Sequence, residues 1–226
     1  MFFYDSDGKR LKYDIGEHLG GEQYGNVYKT SDIECIKIYK RGQTVDERIL
    51  LNISELYLKN FYEVHKLLYN KAGIFKAHTM KYYEKCDIDI LTMPVEYTLG
   101  SLSNLYESVI RLAENYIYAC DMHTGNAILA NDGVIVIDTD IYAVSQFQSK
   151  EELKRRNILA LRYLFEQLYL EALSTYHSDI CSNKSPRNIR SLFETNGFYP
   201  NRQFDINTSY SKLVKYKRPI DYIKNL

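Results

Sequence analysis

The hexapeptide Asp121-Met122-His123-Thr124-Gly125-Asn126 gathers a carboxylate, an imidazole and a carboxamide into one short polar stretch. Twelve residues beyond Asn126 stands Asp138, at the head of Asp138-Thr139-Asp140. These side chains offer mainly oxygen. A hard divalent cation such as Mg²⁺ favours carboxylate and carbonyl oxygens together with phosphate. Asn126 and Asp138 suit a metal, and Asp121 is then left to orient an attacking hydroxyl or take its proton. Taken alone, Asp138 at a strand end reads equally well as a turn former.

Local elements must bring these residues together. Ala127–Ala130 and the run 134–138 are short and apolar, joined by Asn131-Asp132-Gly133, a strong tight-turn signal. A hairpin is therefore expected, with the polar loop before it and Asp138 at its end. A helix over 102–118, with Leu105, Val109, Leu112 and Tyr116 inward, leads into the loop. A long helix starts at Lys150, its buried stripe marked by Leu153, Ile158, Leu161, Leu164, Phe165, Leu168 and Leu173. Upstream, strands are expected at 9–13, 17–20, 25–28, Glu34–Tyr39, 74–83 and 88–95. On the fourth of these Cys35, Lys37 and Tyr39 face one way and Ile36 and Ile38 the other. Residues 44–69 read as one long helix capped by Thr44 and Asp46, with apolar residues from Ile49 to Leu68 at steps of three to five. Short helices are expected at 186–194 and 209–217. The change from strands to helices near 98–101 suggests a division into residues 1–97 and 98–226.

The motif resembles the catalytic loop of the protein-kinase superfamily, D-x-x-x-x-N followed by a hairpin and a metal-binding Asp. In style, D-x-H-x-G-N followed by I-D-x-D is similar to bacterial relatives such as the aminoglycoside and choline phosphotransferases, the lipopolysaccharide-core kinases and the ABC1 family. The resemblance spans residues 14–173. It implies an α+β, two-lobed protein-kinase-like fold, with an N-terminal antiparallel sheet carrying one long helix and a reduced helical C-terminal lobe. It implies Asp121 as catalytic base, Asn126 and Asp138 as metal ligands, and ATP with Mg²⁺ (or Mn²⁺) as cofactors. His123 stands where protein kinases carry a phosphate-contacting Lys. Gly20, Gly21, Gly25 and Val27 resemble the glycine-rich loop that covers phosphates, although Gly21 lies one residue off and Glu22 occupies the second glycine's place. On residues alone, Gly20 and Gly25 read equally as hairpin turns. Lys37 resembles the strand lysine that contacts the α- and β-phosphates, and a cation on an inner sheet face needs a counter-charge. The family supplies a helix Glu. Glu55, eighteen residues after Lys37, is the first choice, with Glu47 and Glu63 behind it. Met93 and Val95, around Pro94, fall where the resemblance places the backbone that contacts adenine.

The implied activity is that of a kinase, with a minimal Ser/Thr protein kinase the leading form and a protein the expected acceptor. A small-molecule hydroxyl kinase and a pseudokinase that binds nucleotide or partners without catalysis stay open. So does AMP transfer. Only 88 residues follow Asp138, and none of them form an A-P-E motif.

Composition narrows the classes. The 226 residues hold 45% hydrophobic and 26% charged side chains, the profile of a globular chain. Lys plus Arg and Asp plus Glu both number 29, so no global charge argues for nucleic acid or a membrane surface. From His177 onward nine Lys or Arg meet four acids. Such a run is usually a solvated surface, and its functional alternative is a docking face for an acidic partner. Cys35, Cys86, Cys120 and Cys181 form no C-x-x-C pair, so neither a disulfide framework nor zinc is expected. Acids at Asp5 and Asp7 argue against a signal peptide. The expected location is cytoplasmic, or a host cytosol reached by a route without a cleaved signal.

Overall fold

A computed structural model of the chain describes residues 1–21, 24–43, 45–131, 133–175, 191 and 213–224. The chain divides into two compact units, Met1–Tyr57 with Tyr62–Glu84, and Leu58–Phe61 with Lys85–Leu226.

The first unit is built on seven strands: β1 (Phe2–Tyr4), β2 (Arg10–Lys12), β3 (His18–Gly21), β4 (Gly25–Lys29), β5 (Glu34–Tyr39), β6 (Val64–Tyr69) and β7 (Phe75–Lys81). They form one antiparallel sheet in the order β2-β1-β6-β7-β5-β4-β3. The alternation on β5 is as expected. Ile36 is fully buried with Phe3, Leu68 and Ala77, and Ile38 packs against the same cluster. Burying such a side chain contributes roughly 1.5–3 kcal/mol. Lys37 lies on the other face, in register with Val27 on β4 and His78 on β7.

The long helix expected over 44–69 is corrected. Only α1 (Glu47–Glu55) is helical, with Asp46 as its N-cap accepting from the Arg48 amide. Tyr57 and Asn60 take left-handed φ values of 48° and 59° and end it. Val64–Tyr69 is β6, paired with β7 from Val64↔Met80 to Tyr69↔Phe75. The apolar stripe came from two elements in succession, and strand pairing overrode the helical spacing. Between them, Leu58–Phe61 belongs to the second unit, where Phe61 bridges Val136 and the Val136 amide donates to the Asn60 carbonyl at 2.8 Å.

The second unit contains α2 (Val95–Glu114), β8 (Ile117–Tyr118), β9 (Ala127–Ala130), β10 (Gly133–Val136), β11 (Ala143–Val144), α3 (Lys150–Thr175) and α4 (Pro219–Lys224). The strand expected at 88–95 is absent. The Asp89 side chain accepts from the Leu91 and Thr92 amides, making an Asx turn. Pro94 then stands as the cap of α2 with φ −53°, a value preset for starting a helix. The helix expected at 102–118 thus begins seven residues earlier, and the boundary placed between 97 and 98 falls inside it. Tyr116, at φ 58°, follows its end. The hairpin and the long helix α3 are where the sequence put them. The expected helix at 186–194, apart from Ser191, and the first half of that at 209–217 lie outside the described residues. Further on, Ile220 and Ile223 of α4 are buried, and the Ile220 amide donates to the Leu91 carbonyl. Among the described residues no helix is long and apolar enough to cross a membrane.

Cys35, Cys86 and Cys120 are free, and Cys181 lies outside the described residues. Burial, reinforced by Glu34, pushes the Cys35 thiol up to about 12. Thiolate is the reactive form, so at pH 8 Cys35 should stay unlabelled by an alkylating reagent until the protein is unfolded. Peptide mapping reads this, and native labelling at the rate of an exposed thiol would contradict the burial. A second expectation concerns the hairpin turn. Gly133 has φ +114°, and a Cβ there would overlap the Ser101 Oγ and lie 3.0 Å from the Tyr97 carbonyl. Gly133→Ala should cost about 1–3 kcal/mol, seen as a lower urea midpoint by circular dichroism. An unchanged midpoint would show that the turn is not sterically constrained.

Candidate active site

The candidate residues divide between the units. In the first, Lys37 is only 4% exposed, so it is not a solvent-facing strand lysine. Its Nζ lies 5.9 Å from the centre of the Tyr39 ring, whose hydroxyl meets His78 Nδ1 at 3.1 Å. Gly25 is demanded by packing, since a Cβ would sit 2.8 Å from the Ile38 carbonyl. At Gly21 a Cβ would collide with the Asn26 side chain, while Gly20 has open space around it. Gly20 and Gly21 lie in β3, opposite Val27 and Asn26 of β4. Glu22 lies outside the described residues.

The acids offered as counter-charge to Lys37 differ in exposure. Glu55 is the last residue of α1 and is exposed, and Glu63 is exposed ahead of β6. The inward-turned acid of α1 is Glu47. Its Oε2 is buried without a hydrogen-bond partner among the described residues, and its charge, after burial, raises the Tyr69 hydroxyl. The eighteen-residue spacing from Lys37 to Glu55 is unchanged, but a helix over 44–69 would put Glu55 near its middle. In a nine-residue helix it is an end.

Met93 and Val95 flank Pro94 at the start of α2. Both are buried, the Met93 amide donates to Asp89 and the Val95 amide donates to the Lys217 carbonyl at 2.8 Å. Neither amide is available to pair with a base.

In the second unit the loop and hairpin bring Asp121, Asn126 and Asp138 to one end of β9–β10. The Ile137 amide donates to the Asn126 carbonyl at 2.8 Å, which sets Asp138 one residue beyond Asn126's partner. Asn126 is 1% exposed. Its Nδ2 donates to both the backbone carbonyl and Oδ2 of Asp121, each at 3.0 Å. Its Oδ1 is buried without a hydrogen-bond partner among the described residues. A buried carbonyl oxygen left unpaired costs about 1–3 kcal/mol, which a cation at that oxygen would recover. Asp121 and Asp138 hold φ of 68° and 62°. Left-handed backbone is tolerated by Asp but uncommon, and it concentrates at functional sites. The residues therefore fit a metal whose remaining ligands are phosphate and water. Among the described residues no cluster of three or more His, Cys, Asp or Glu could hold an ion by itself.

His123 is spent inside the loop. Its Nδ1 accepts from the Gly125 amide at 3.1 Å, which assigns the proton to Nε2, 3.3 Å from Asp121 Oδ1. Asp121 is thus held through one oxygen by Asn126 and through the other by His123, with 41% of its side chain open to solvent. A phosphate contact from His123 would require this pairing to break.

Three residues escaped sequence reading. Asn157, fully buried on α3, accepts from the Ala119 amide at 2.9 Å and donates to the carbonyls of Val109 and Ile117. Asn60 donates to the Val134 carbonyl at 2.9 Å and accepts from Asn104. Tyr142 is wholly buried. Desolvation first, then Cys120, Asp121 and Asp138, raise its hydroxyl well above the ordinary range, so it stays neutral. The one available signal was Asn157, a polar residue on the apolar stripe of a long helix.

Asn157→Ala would leave the Ala119 amide without its partner in the core and remove a donor from the Val109 and Ile117 carbonyls. It should cost about 2–4 kcal/mol and raise hydrogen exchange at residues 117–120 before global unfolding. Exchange unchanged there would show that another group anchors the loop.

No protein-family model and no curated protein sequence matches the chain. Solved structures do. The Cydia pomonella granulovirus kinase PK-1 superimposes with a TM-score of 0.49 at 18% identity, over 68% of this chain and 71% of that one. The Legionella pneumophila Lpg2603 kinase bound to IP6 superimposes with a TM-score of 0.50 at 16% identity, over 93% of this chain and 86% of that one. The second likeness carries the assignment: the chain has a mixed α+β fold of the protein-kinase type.

Proposed function

We propose that this protein is an ATP-dependent phosphotransferase, a minimal Ser/Thr protein kinase. The observation that carries the reading is the Asn126 carboxamide. One end fixes Asp121, while the other leaves a buried oxygen unpaired, in a residue whose backbone carbonyl accepts from the Ile137 amide next to Asp138. Asn126 and Asp138 would hold Mg²⁺ or Mn²⁺, which when bound supplies neutralisation of phosphate charge. Lys37 is the cation proposed for the nucleotide phosphates. Asp121 orients the acceptor hydroxyl and receives its proton. The bond between the γ-phosphorus and the β–γ bridging oxygen breaks, a bond from that phosphorus to the acceptor oxygen forms, and ADP leaves. Catalysis of this kind is mostly positioning and charge stabilisation. The double hold on Asp121 supports that role, because a carboxylate restrained at both oxygens loses little freedom when the acceptor docks.

The test uses ATP labelled at the γ- or, separately, at the α-phosphorus, with Mg²⁺ or Mn²⁺ and a generic protein acceptor. Transfer of γ-label alone is expected. Asp121→Asn and Asp138→Ala should each lower it by about a hundredfold or more. Wild-type-like rates in either variant would sink the assignment. Transfer of α-label would instead identify AMP transfer, and nucleotide binding without either label would identify a pseudokinase.

A further inference from the structure

The catalytic loop is strapped lengthwise along α3. At one end the Ala119 amide donates to Asn157, and at the other Thr124 Oγ1 donates to Glu171 Oε1 at 2.7 Å. Fourteen residues of helix separate these anchors, about 21 Å at 1.5 Å per residue. Between loop and helix runs a cleft of about 680 Å³. Asp121 and His123 stand on one wall, and Arg156, Leu159, Tyr163 and Gln167 on the other. The helical four form one stripe of α3, at steps of three and four.

The chemistry of that stripe is specific. Leu159 and Tyr163 are 47% and 52% exposed, two large side chains without cover beside the reactive carboxylate. Gln167 donates to the Tyr163 hydroxyl at 2.8 Å and steadies its ring. Arg156 lies with its guanidinium carbon 4.7 Å from the centre of the Tyr118 ring. Glu152, one turn before Arg156, gives both oxygens to Arg155 at 2.9 and 3.0 Å. Arg156 feels the charge of Glu152 without a hydrogen bond to it, and is the one Lys or Arg that lines the cleft among the described residues.

Resting on the phosphotransferase reading, we infer that this cleft seats the acceptor, a peptide segment. Its Ser or Thr hydroxyl lies at Asp121, an apolar side chain covers Leu159 and Tyr163, and an acidic side chain pairs with Arg156. The length favours a peptide. The helical lining from Arg156 to Gln167 is about 16 Å long and an extended chain advances about 3.3 Å per residue, so roughly five residues fill the trough, whereas a compact metabolite at Asp121 leaves the apolar stripe bare. Arg156 adjoins Asn157, whose partner Ala119 is two residues before Asp121. The acidic residue therefore belongs about two to four residues from the hydroxyl. The hydroxyl oxygen bonds to the γ-phosphorus of ATP, its proton passes to Asp121, and ADP departs.

Charge-swap kinetics test this with short synthetic peptides. Each has a central Ser, an apolar neighbour, and Asp, Asn or Lys at two, three or four residues to either side. The wild-type protein should favour the best Asp peptide over its Asn twin by about tenfold in kcat/KM, mostly through KM. Arg156→Glu should reverse the order and favour the Lys peptide, a gain that a merely misfolded variant cannot show. No preference in the wild type, or a preference for acid that survives in Arg156→Glu, overturns the inference. Fluorescence anisotropy with the labelled Asp peptide, without nucleotide, separates the two readings. Arg156-dependent binding without phosphoryl transfer keeps the groove and removes the phosphotransferase. Transfer without charge preference keeps the phosphotransferase and removes the groove. Absence of both binding and transfer removes both.

Discussion

Three hydrogen bonds made by one buried carboxamide set the place of the Asp121–Asn126 loop. Asn157 sits in the middle of α3, at zero exposure, and ties the end of α2, strand β8 and the amide of Ala119 to a single point. A polar side chain in such a position is tolerated only if all its groups are paired, and here both its oxygen and its nitrogen are. The tie is also directional. It fixes the chain two residues before Asp121, immediately after β8. Thr124 on Glu171 supplies the far strap, so the loop is clamped at both ends to the same helix. Asp121 then has little choice of position, and its left-handed φ is the backbone consequence.

Around this anchor the site is economical in polar groups. Asn126 and His123 each use one end to hold Asp121. Asn126's other end is unpaired and buried, and His123's other end closes the Gly125 turn. Tyr142, neutral and buried near the two carboxylates, contributes bulk and low polarity to their surroundings. Asp121 and Asp138 both act on the buried Tyr142 hydroxyl from this end of the hairpin. A cation bound there meets unpaired oxygen and needs to displace no protein hydrogen bond from Asn126 Oδ1.

The short segment 58–61 shows how strongly tertiary context overrides local pattern. Asn60 could have continued a helix by apolar spacing around it. It instead adopts φ 59° and spends its carboxamide on Val134 and Asn104. With α1 cut to nine residues, β6 is released to become a central strand, and its Leu68 completes the cluster with Phe3, Ile36 and Ala77. The same shortening moves the inward acid of the helix from Glu55 to Glu47.

What the sequence by itself determined was local. The hairpin of β9 and β10, the alternation on β5 and the long stripe of α3 all follow from short-range rules of backbone geometry and side-chain period, and each appears in the structure. The tertiary structure decided everything that depends on partners distant in the chain. It split one apolar stripe into a helix and a strand, folded the run before Pro94 into an Asx turn, and closed the Met93 and Val95 amides against neighbours. It also chose Asn157 as the anchor. Periodicity reports which side of an element is apolar. It does not report what that side meets, because strand pairing and buried hydrogen bonds are settled by residues tens of positions away.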